Sequence, residues 1–475
     1  MSHKASWLRG VFPALVTPFT KEDERIDEEA LRNLVRHVLP HVDGLVPAGT
    51  TGEFVYLSPE EHRRVVEIVI DEAAGRVPVI AGTGAASTRQ AITLAQMAQE
   101  VGAKACLVVA PYFLHPSDKG IYQHFYEVAK AVDLPLILYN IPQTVDAYLP
   151  REVIEDLADI PNIIGLKDSS GNLTYTMEVL EMTNGRIDVL IGHDEVVLPA
   201  LAGGCSGMIL ASAQVYPEIW QEIYAAVQRG DLETASERQR SVQKLSRIFC
   251  RYGGGVAVKA ALNMMGVKVG VARRPLREGG VLINEVKGEI LLELEKLGKV
   301  TPKEIVFKPP SGPLDERFTE LGLSAATLKE ARAHVATARA GEGVEGVQLD
   351  LVAGPVNGPV GEAYALQLTY PRHRYEALTT ILEPNLTIRP ATLVVPTTEL
   401  KNLRQANMVY GPTQAAIARA IADALERDII PESAMTDTVM MVLTSIHPQA
   451  LDRHTLYQNV YRAMNEAIDK AFTGR

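Results

Sequence analysis

The feature that most constrains this chain is a repeat: a short apolar run followed by a helix-length segment, again and again. Eight such runs occupy residues 11–19, 44–49, 77–84, 105–111, 134–142, 162–170, 188–194 and 207–212. Most are near-continuous in apolar residues rather than alternating, as expected of parallel strands covered on both faces. The intervening segments carry helix signals. Ser58 precedes Pro59, with Val65, Val66, Val69 and Ile70 on one face; Ser87 opens the next, with Ala91, Leu94, Ala95 and Ala98 as its stripe. Eight β-then-α units in about 200 residues predict a closed (β/α)8 TIM barrel, an α/β fold, with an open doubly wound sheet as the alternative.

The repeat stops near residue 215, and 215–298 reads as a helical appendix. Residues 308–318, KPPSGPLDERF, are rich in Pro, Gly and charge and read as a linker. The stretch 324–338 reads as one helix. The expected organisation is a barrel with its appendix over 1–298, a linker and connecting helix over 299–339, and a separate α+β domain over 340–475. In that last region strands are expected at 347–354, 376–383, 391–396 and 439–448, and helices at 361–370, 412–428 and 455–472.

Composition narrows the function. Apolar residues make up 47% of the 475 and the net charge is -11. With no Lys/Arg-rich run, neither a nucleic acid nor an anionic membrane is an expected partner. The three cysteines, Cys106, Cys205 and Cys250, form no CxxC pair, so neither a disulfide framework nor structural zinc is expected. The N-terminus lacks a secretory apolar core, and no apolar run reaches the ~20 residues of a membrane span. A cytoplasmic protein is the expectation.

Barrel chemistry gathers at the C-terminal ends of the strands. Lys167 lies there in the sixth run, after Ile163, Ile164, Gly165 and Leu166. An amine among apolar neighbours gives up its proton more readily, and a neutral amine can add to a ketone to form an imine. A lysine closing a strand can also simply snorkel to solvent. Tyr139 ends the fifth run and could pass protons to a carbonyl or hydroxyl, or merely pack. Gly49-Thr50-Thr51-Gly52-Glu53 follows the second run. Its backbone amides and threonine hydroxyls suit a carboxylate, although an ordinary βα turn has the same composition. His193, Asp194 and Glu195 end the seventh run without paired metal-ligand spacing, so hydrogen bonding is the expectation there and no metal.

Together VFPALVTPF, GTTGE, APYF, LYNIP, IGLKDSSGNL and GMILAS, in this order over residues 8–297, resemble the dihydrodipicolinate synthase/N-acetylneuraminate lyase family. The resemblance implies a Schiff base between Lys167 and pyruvate or another 2-oxo acid, with no separate cofactor. It implies proton transfer by Tyr139, carboxylate binding and proton relay by Thr50 and Thr51, a pyruvate pocket lined by Ile209, and a homo-oligomer. Two departures narrow this. The synthase branch has a second tyrosine where Phe113 stands, and an arginine shortly after YN-x-P, where this chain reads Gln143-Thr144-Val145-Asp146. An aldolase or dehydratase is therefore expected rather than 4-hydroxy-tetrahydrodipicolinate synthase, which stays the alternative.

Over 340–472, VQLDLVAGPVNGPVGEAYALQL, EPNLTIRPATLVVP and GPTQAAIARAIADALERD resemble formaldehyde-activating enzyme, which condenses formaldehyde with tetrahydromethanopterin. The resemblance implies that Asp350 and Gln414 bind substrate and that a tetrahydromethanopterin-type pterin is a co-substrate. The departures fall on the chemistry: Gln348 replaces a histidine, Thr397 a lysine, and Glu399 a threonine. Altered or lost catalysis is expected, with His447 structural. The fusion suggests an aldehyde partner for the barrel, for example formaldehyde joined to pyruvate as a 4-hydroxy-2-oxo acid. The alternative is a non-catalytic binding or assembly module.

Overall fold

The computed structural model describes residues 5–277, 284–301, 313–369, 377–383, 386–397, 400 and 403–474. The chain divides into two compact units, 1–301 and 302–475.

Unit 1 holds seven parallel strands: β1 (Gly10–Pro13), β2 (Ile80–Gly82), β3 (Ala105–Val109), β4 (Leu136–Asn140), β5 (Ile163–Asp168), β6 (Asp188–Ile191) and β7 (Gly207–Leu210). Their order is β1-β7-β6-β5-β4-β3-β2. The run at 44–49 closes the ring between β1 and β2. It does so through parallel bridges, Ala14 with Val46 and Leu45 with Val79, so the barrel has eight staves. All seven named strands are buried along their length, because helices cover the outside and side chains fill the inside. The expected helix starts are found. Ser58 caps Pro59–Ala73 in a capping box with Glu61, and Ser87 caps Thr88–Glu100. The appendix is helical, at Pro217–Gln228, Leu232–Tyr252, Gly254–Met264 and Asn284–Lys296. None of the described helices is long and apolar enough to cross a membrane.

Unit 2 is α+β. Its strands are β8 (His334–Ala340), β9 (Val347–Pro355), β10 (Leu378–Thr379), β11 (Ile381–Glu383), β12 (Leu386–Thr387), β13 (Ala391–Pro396) and β14 (Thr438–Ile446). Five of them form one sheet in the order β10-β13-β14-β9-β8. Helices Gln414–Glu426 and Arg453–Thr473 share an apolar core with one face, through Leu349, Leu351 and Val442. The other face, through Val352, Leu393 and Met441, packs with Phe318, Leu321, Leu323 and Leu328.

One expectation is corrected. The stretch 324–338 is not a single helix: the helix covers Ala325–Glu330, and His334–Ala340 is strand β8. The alanines at 333, 336, 338 and 340 favour helix locally. Full antiparallel pairing with β9, which buries Ala336 and Ala338, overrides that preference.

Candidate functional site

At the C-terminal ends of β4 and β5, Tyr139 and Lys167 stand directly opposite in register. Both are buried, and the Lys167 ammonium lies 4.2 Å from the centroid of the Tyr139 ring. Successive side chains on a strand point to opposite faces, so Asn140 and Asp168, one residue on, turn away from this pair and latch to each other. Asn140 Nδ2 donates to Asp168 Oδ1 at 2.9 Å, and its Oδ1 accepts from the Leu149 amide at 3.0 Å. Asp168 also accepts from Thr176 Oγ1 at 2.6 Å and from the Ser170 amide at 3.0 Å. The two strand ends are thereby locked beneath the Tyr139–Lys167 pair. Asn140 and Asp168 were readable as motif letters, but their latch is tertiary.

Lys167 and Tyr139 open into a cavity of about 420 Å³ whose walls include Thr50, Thr51, Thr144 and Ile209. The five barrel residues singled out from the sequence, Thr50, Thr51, Tyr139, Lys167 and Ile209, therefore meet in one space. Among the described residues lining it, Lys167 is the one lysine or arginine. Gln143 occupies its amide on the carbonyls of Ser169 and Ser170, at 3.1 and 2.9 Å. Phe113 is not part of the cavity wall. It is 87% exposed and has a φ of +75°.

Gly192 makes room for the lysine. A Cβ there would lie 2.1 Å from Ser169 Oγ and 2.8 Å from Lys167 Cε. Gly192→Ala should push the lysine off its line and slow trapping of a 2-oxo acid by borohydride about 100-fold. An unchanged trapping rate would show that the lysine tolerates the methyl group.

Asp194 is a residue the sequence left as a barrel-top hydrogen-bonder. It is fully buried on the cavity wall, and its Oδ2 has no hydrogen-bond partner. Burial pushes its carboxyl up to about 7, against a hydrogen bond from Ser212 and the charge of Lys167. The folded value lies above the ordinary ~3.9 of an unfolded chain. The folded chain thus keeps a proton that the unfolded chain has released. The stability carried by the neutral carboxyl is complete below about pH 4 and is lost as pH rises towards 7. Denaturation midpoints at about pH 5 and about pH 8 should differ less in Asp194→Asn than in the wild type. Equal differences in the two chains would assign the slope elsewhere. Nearby, His193, Glu195 and Cys250 bring one ligand atom each within 4.8 Å of one another, but the Glu195 carboxylate is held by Arg247 at 3.0 Å.

In unit 2, Asp350 is 1% exposed and held chiefly through Oδ1. It accepts from Thr337 Oγ1 at 2.6 Å and Gln348 Nε2 at 3.0 and 3.2 Å, and it pairs with Arg317 at 2.8 Å. Thr337 and Arg339 of β8 stand opposite Asp350 and Gln348 of β9, and Arg339 Nε donates to Gln348 Oε1 at 2.6 Å. Gln414 does not join this cluster: its amide donates to the Ile381 carbonyl at 2.5 Å. Thr397 Oγ1 bonds Ser445 Oγ at 2.8 Å. His447 Nδ1 accepts the Gln449 amide at 3.1 Å, a turn contact. Glu399 lies outside the described residues. Arg317 was passed over as linker charge, because nothing local in the sequence points it at a strand 33 residues later.

A closed barrel with a buried lysine and tyrosine in its mouth defines a (β/α)8-barrel lyase. The comparisons agree: residues 7–287 match the dihydrodipicolinate synthetase family, and the chain belongs to it. Residues 335–475 match the formaldehyde-activating enzyme family. The 4-hydroxy-tetrahydrodipicolinate synthase of Methanopyrus kandleri is 43% identical over 293 residues, covering 61% of this chain and 97% of its own. That of Archaeoglobus fulgidus is 39% identical, covering 60% and 98%. Among solved structures, the dihydrodipicolinate synthase of Acinetobacter baumannii complexed with pyruvate is 35% identical, with a TM-score of 0.59, covering 62% and 99%.

Proposed function

We propose that unit 1 is a Schiff-base aldolase or dehydratase acting on pyruvate or another 2-oxo acid. The Lys167 amine adds to the ketone carbon, water leaves, and the protonated imine draws electrons from the neighbouring carbon. Loss of a proton from that carbon gives an enamine, which attacks an aldehyde. In the dehydratase direction, the electron pair instead expels a hydroxyl. Tyr139 carries protons to and from the carbonyl oxygen or the leaving hydroxyl. The Thr50 and Thr51 turn holds the 2-oxo acid's carboxylate, and Ile209 closes the apolar side. The observation that carries this reading is the buried Lys167 facing Tyr139 across one cavity with the threonine turn.

The second substrate is read as an aldehyde without its own carboxylate. What supports this is that Lys167 is the one lysine or arginine among the described residues of the cavity lining, while Gln143 and Thr144 stand where the resemblance places an arginine that binds an acid. Borohydride trapping with a panel of 2-oxo acids, followed by product analysis with formaldehyde and with a carboxylate-bearing aldehyde, tests both parts. Preferred turnover of the acidic aldehyde would return the assignment to 4-hydroxy-tetrahydrodipicolinate synthesis. No adduct on Lys167 with any 2-oxo acid would remove the imine reading.

For unit 2 we favour a binding or assembly module over catalysis on a tetrahydromethanopterin-type pterin. The supporting observation is Asp350, whose carboxylate is already bound by Arg317, Thr337 and Gln348. Titration of the full chain with the reduced pterin, followed by formaldehyde uptake, tests this; condensation above the uncatalysed rate would restore the catalytic reading.

A further inference from the structure

A second lysine sits beside the cavity, and the proposed chemistry gives it no role. Lys259 is 2% exposed, on helix Gly254–Met264. Its ammonium pairs with Glu53 Oε1 at 2.5 Å, and the side chains are 3% and 1% exposed. It also donates to the Val271 carbonyl at 2.9 Å and lies 4.5 Å from the Phe19 ring centroid. The other Glu53 oxygen accepts from the Arg273 amide at 2.8 Å. Glu53 itself ends the Thr50–Gly52 turn in the left-handed region, at φ +59°.

A buried ion pair gives little net stability, because desolvating two charges offsets much of their attraction. Burial pulls the Lys259 ammonium down to about 8 even with Glu53 beside it. An apolar pair of similar volume would fill this part of the core, though without partners for the Arg273 amide and the Val271 carbonyl. The location is more informative. Gly255 lies one helical turn before Lys259 and on the same face. A Cβ there would lie 2.9 Å from the Thr51 carbonyl oxygen. One helix therefore braces the turn at two points, by close backbone approach at Thr51 and by an ion pair at Glu53. On the other side of the turn, Thr17 Oγ1 donates to the Gly52 carbonyl at 2.7 Å.

We infer that Lys259 is a positioning residue, fixing the Thr50–Thr51 turn through Glu53 so that it meets the 2-oxo acid's carboxylate. This rests on the proposed role of that turn. The pair is directional, and swapping it for apolar side chains fills the space without fixing where the turn's hydroxyls and amides point.

The test uses the full chain, pyruvate and borohydride, with the Lys167 adduct followed by mass spectrometry. Lys259→Met should raise the half-saturating pyruvate concentration about 10- to 100-fold, while saturating pyruvate still labels Lys167 completely. Since a lone buried Glu53 would also destabilise the chain, the double variant Glu53→Met with Lys259→Met separates the two roles. Its thermal midpoint should rise above that of Lys259→Met, short of the wild type because the Arg273 amide and the Val271 carbonyl lose their partners, while its half-saturation stays raised. Amide hydrogen exchange over 50–53 should be faster in both variants. Recovery of both midpoint and half-saturation in the double variant would make the pair purely structural and overturn the inference. So would an unshifted half-saturation in Lys259→Met, measured beside a wild type that labels normally. A wild type that takes no label removes the imine reading, and the inference with it.

Discussion

Lys167→Met leaves the barrel folded and removes the borohydride-stable adduct with pyruvate, and turnover falls by at least about 10⁴-fold. The size follows from the role. Without an amine no imine forms, and the remaining groups of the cavity act on a free 2-oxo acid that has no electron sink. The fold survives because, among the described residues, Lys167 makes no ion pair that would be orphaned; the Tyr139 ring lies 4.2 Å from its ammonium. Tyr139→Phe gives the contrasting outcome, retaining the adduct while slowing proton transfer about 100- to 10⁴-fold. Labelling and turnover thus separate the nucleophile from the proton carrier. Continued turnover by Lys167→Met at the wild-type rate would place the reacting group elsewhere.

Arg317→Met destabilises unit 2 by about 3–5 kcal/mol, the usual cost of leaving one charge of a buried pair without its partner. Asp350 is 1% exposed and Arg317 is its cationic partner, at 2.8 Å. Thr337 and Gln348 still donate to the carboxylate, which places the cost at the lower end of that range. The second variant, Arg317→Met with Asp350→Leu, removes both charges and should recover most of the loss. Chemical denaturation of the full chain, with a reporter in unit 2, reads both. A single variant as stable as the wild type would show that Asp350 is solvated or otherwise neutralised, and would reopen it as a ligand-binding carboxylate.

The barrel was legible because its code is local. Each apolar run is short and bounded, the caps at Ser58 and Ser87 use residues three apart, and the reactive letters sit at run ends, where this fold gathers its chemistry. Thr50, Tyr139 and Lys167 could be paired from sequence because the strand-end rule brings them together. What stayed hidden depends on distant partners. Glu53 and Lys259 are 206 residues apart, and neither has a local pattern that predicts the other. Strand β8 was read as helix because its alanines prefer helix until β9 pairs with them. The unpartnered oxygen of Asp194 could not be inferred either, since it depends on which neighbours fail to reach it.

The sheet of unit 2 carries one more implication. Phe318, Leu321, Leu323 and Leu328 pack against one of its broad faces, and helices Gln414–Glu426 and Arg453–Thr473 against the other. Among the described residues, neither broad face of the sheet is left open to press against a second copy. If unit 2 brings chains together, the described surfaces open to such a contact are the edge of β8, the short β10, the exposed β11–β12 ribbon and the outer sides of the helices. A contact along a strand edge is made by main-chain hydrogen bonds, which a proline or an inward-pointing charge on β8 blocks. Self-association through the β8 edge would then be lost on one such substitution, whereas association through a broad apolar face would not.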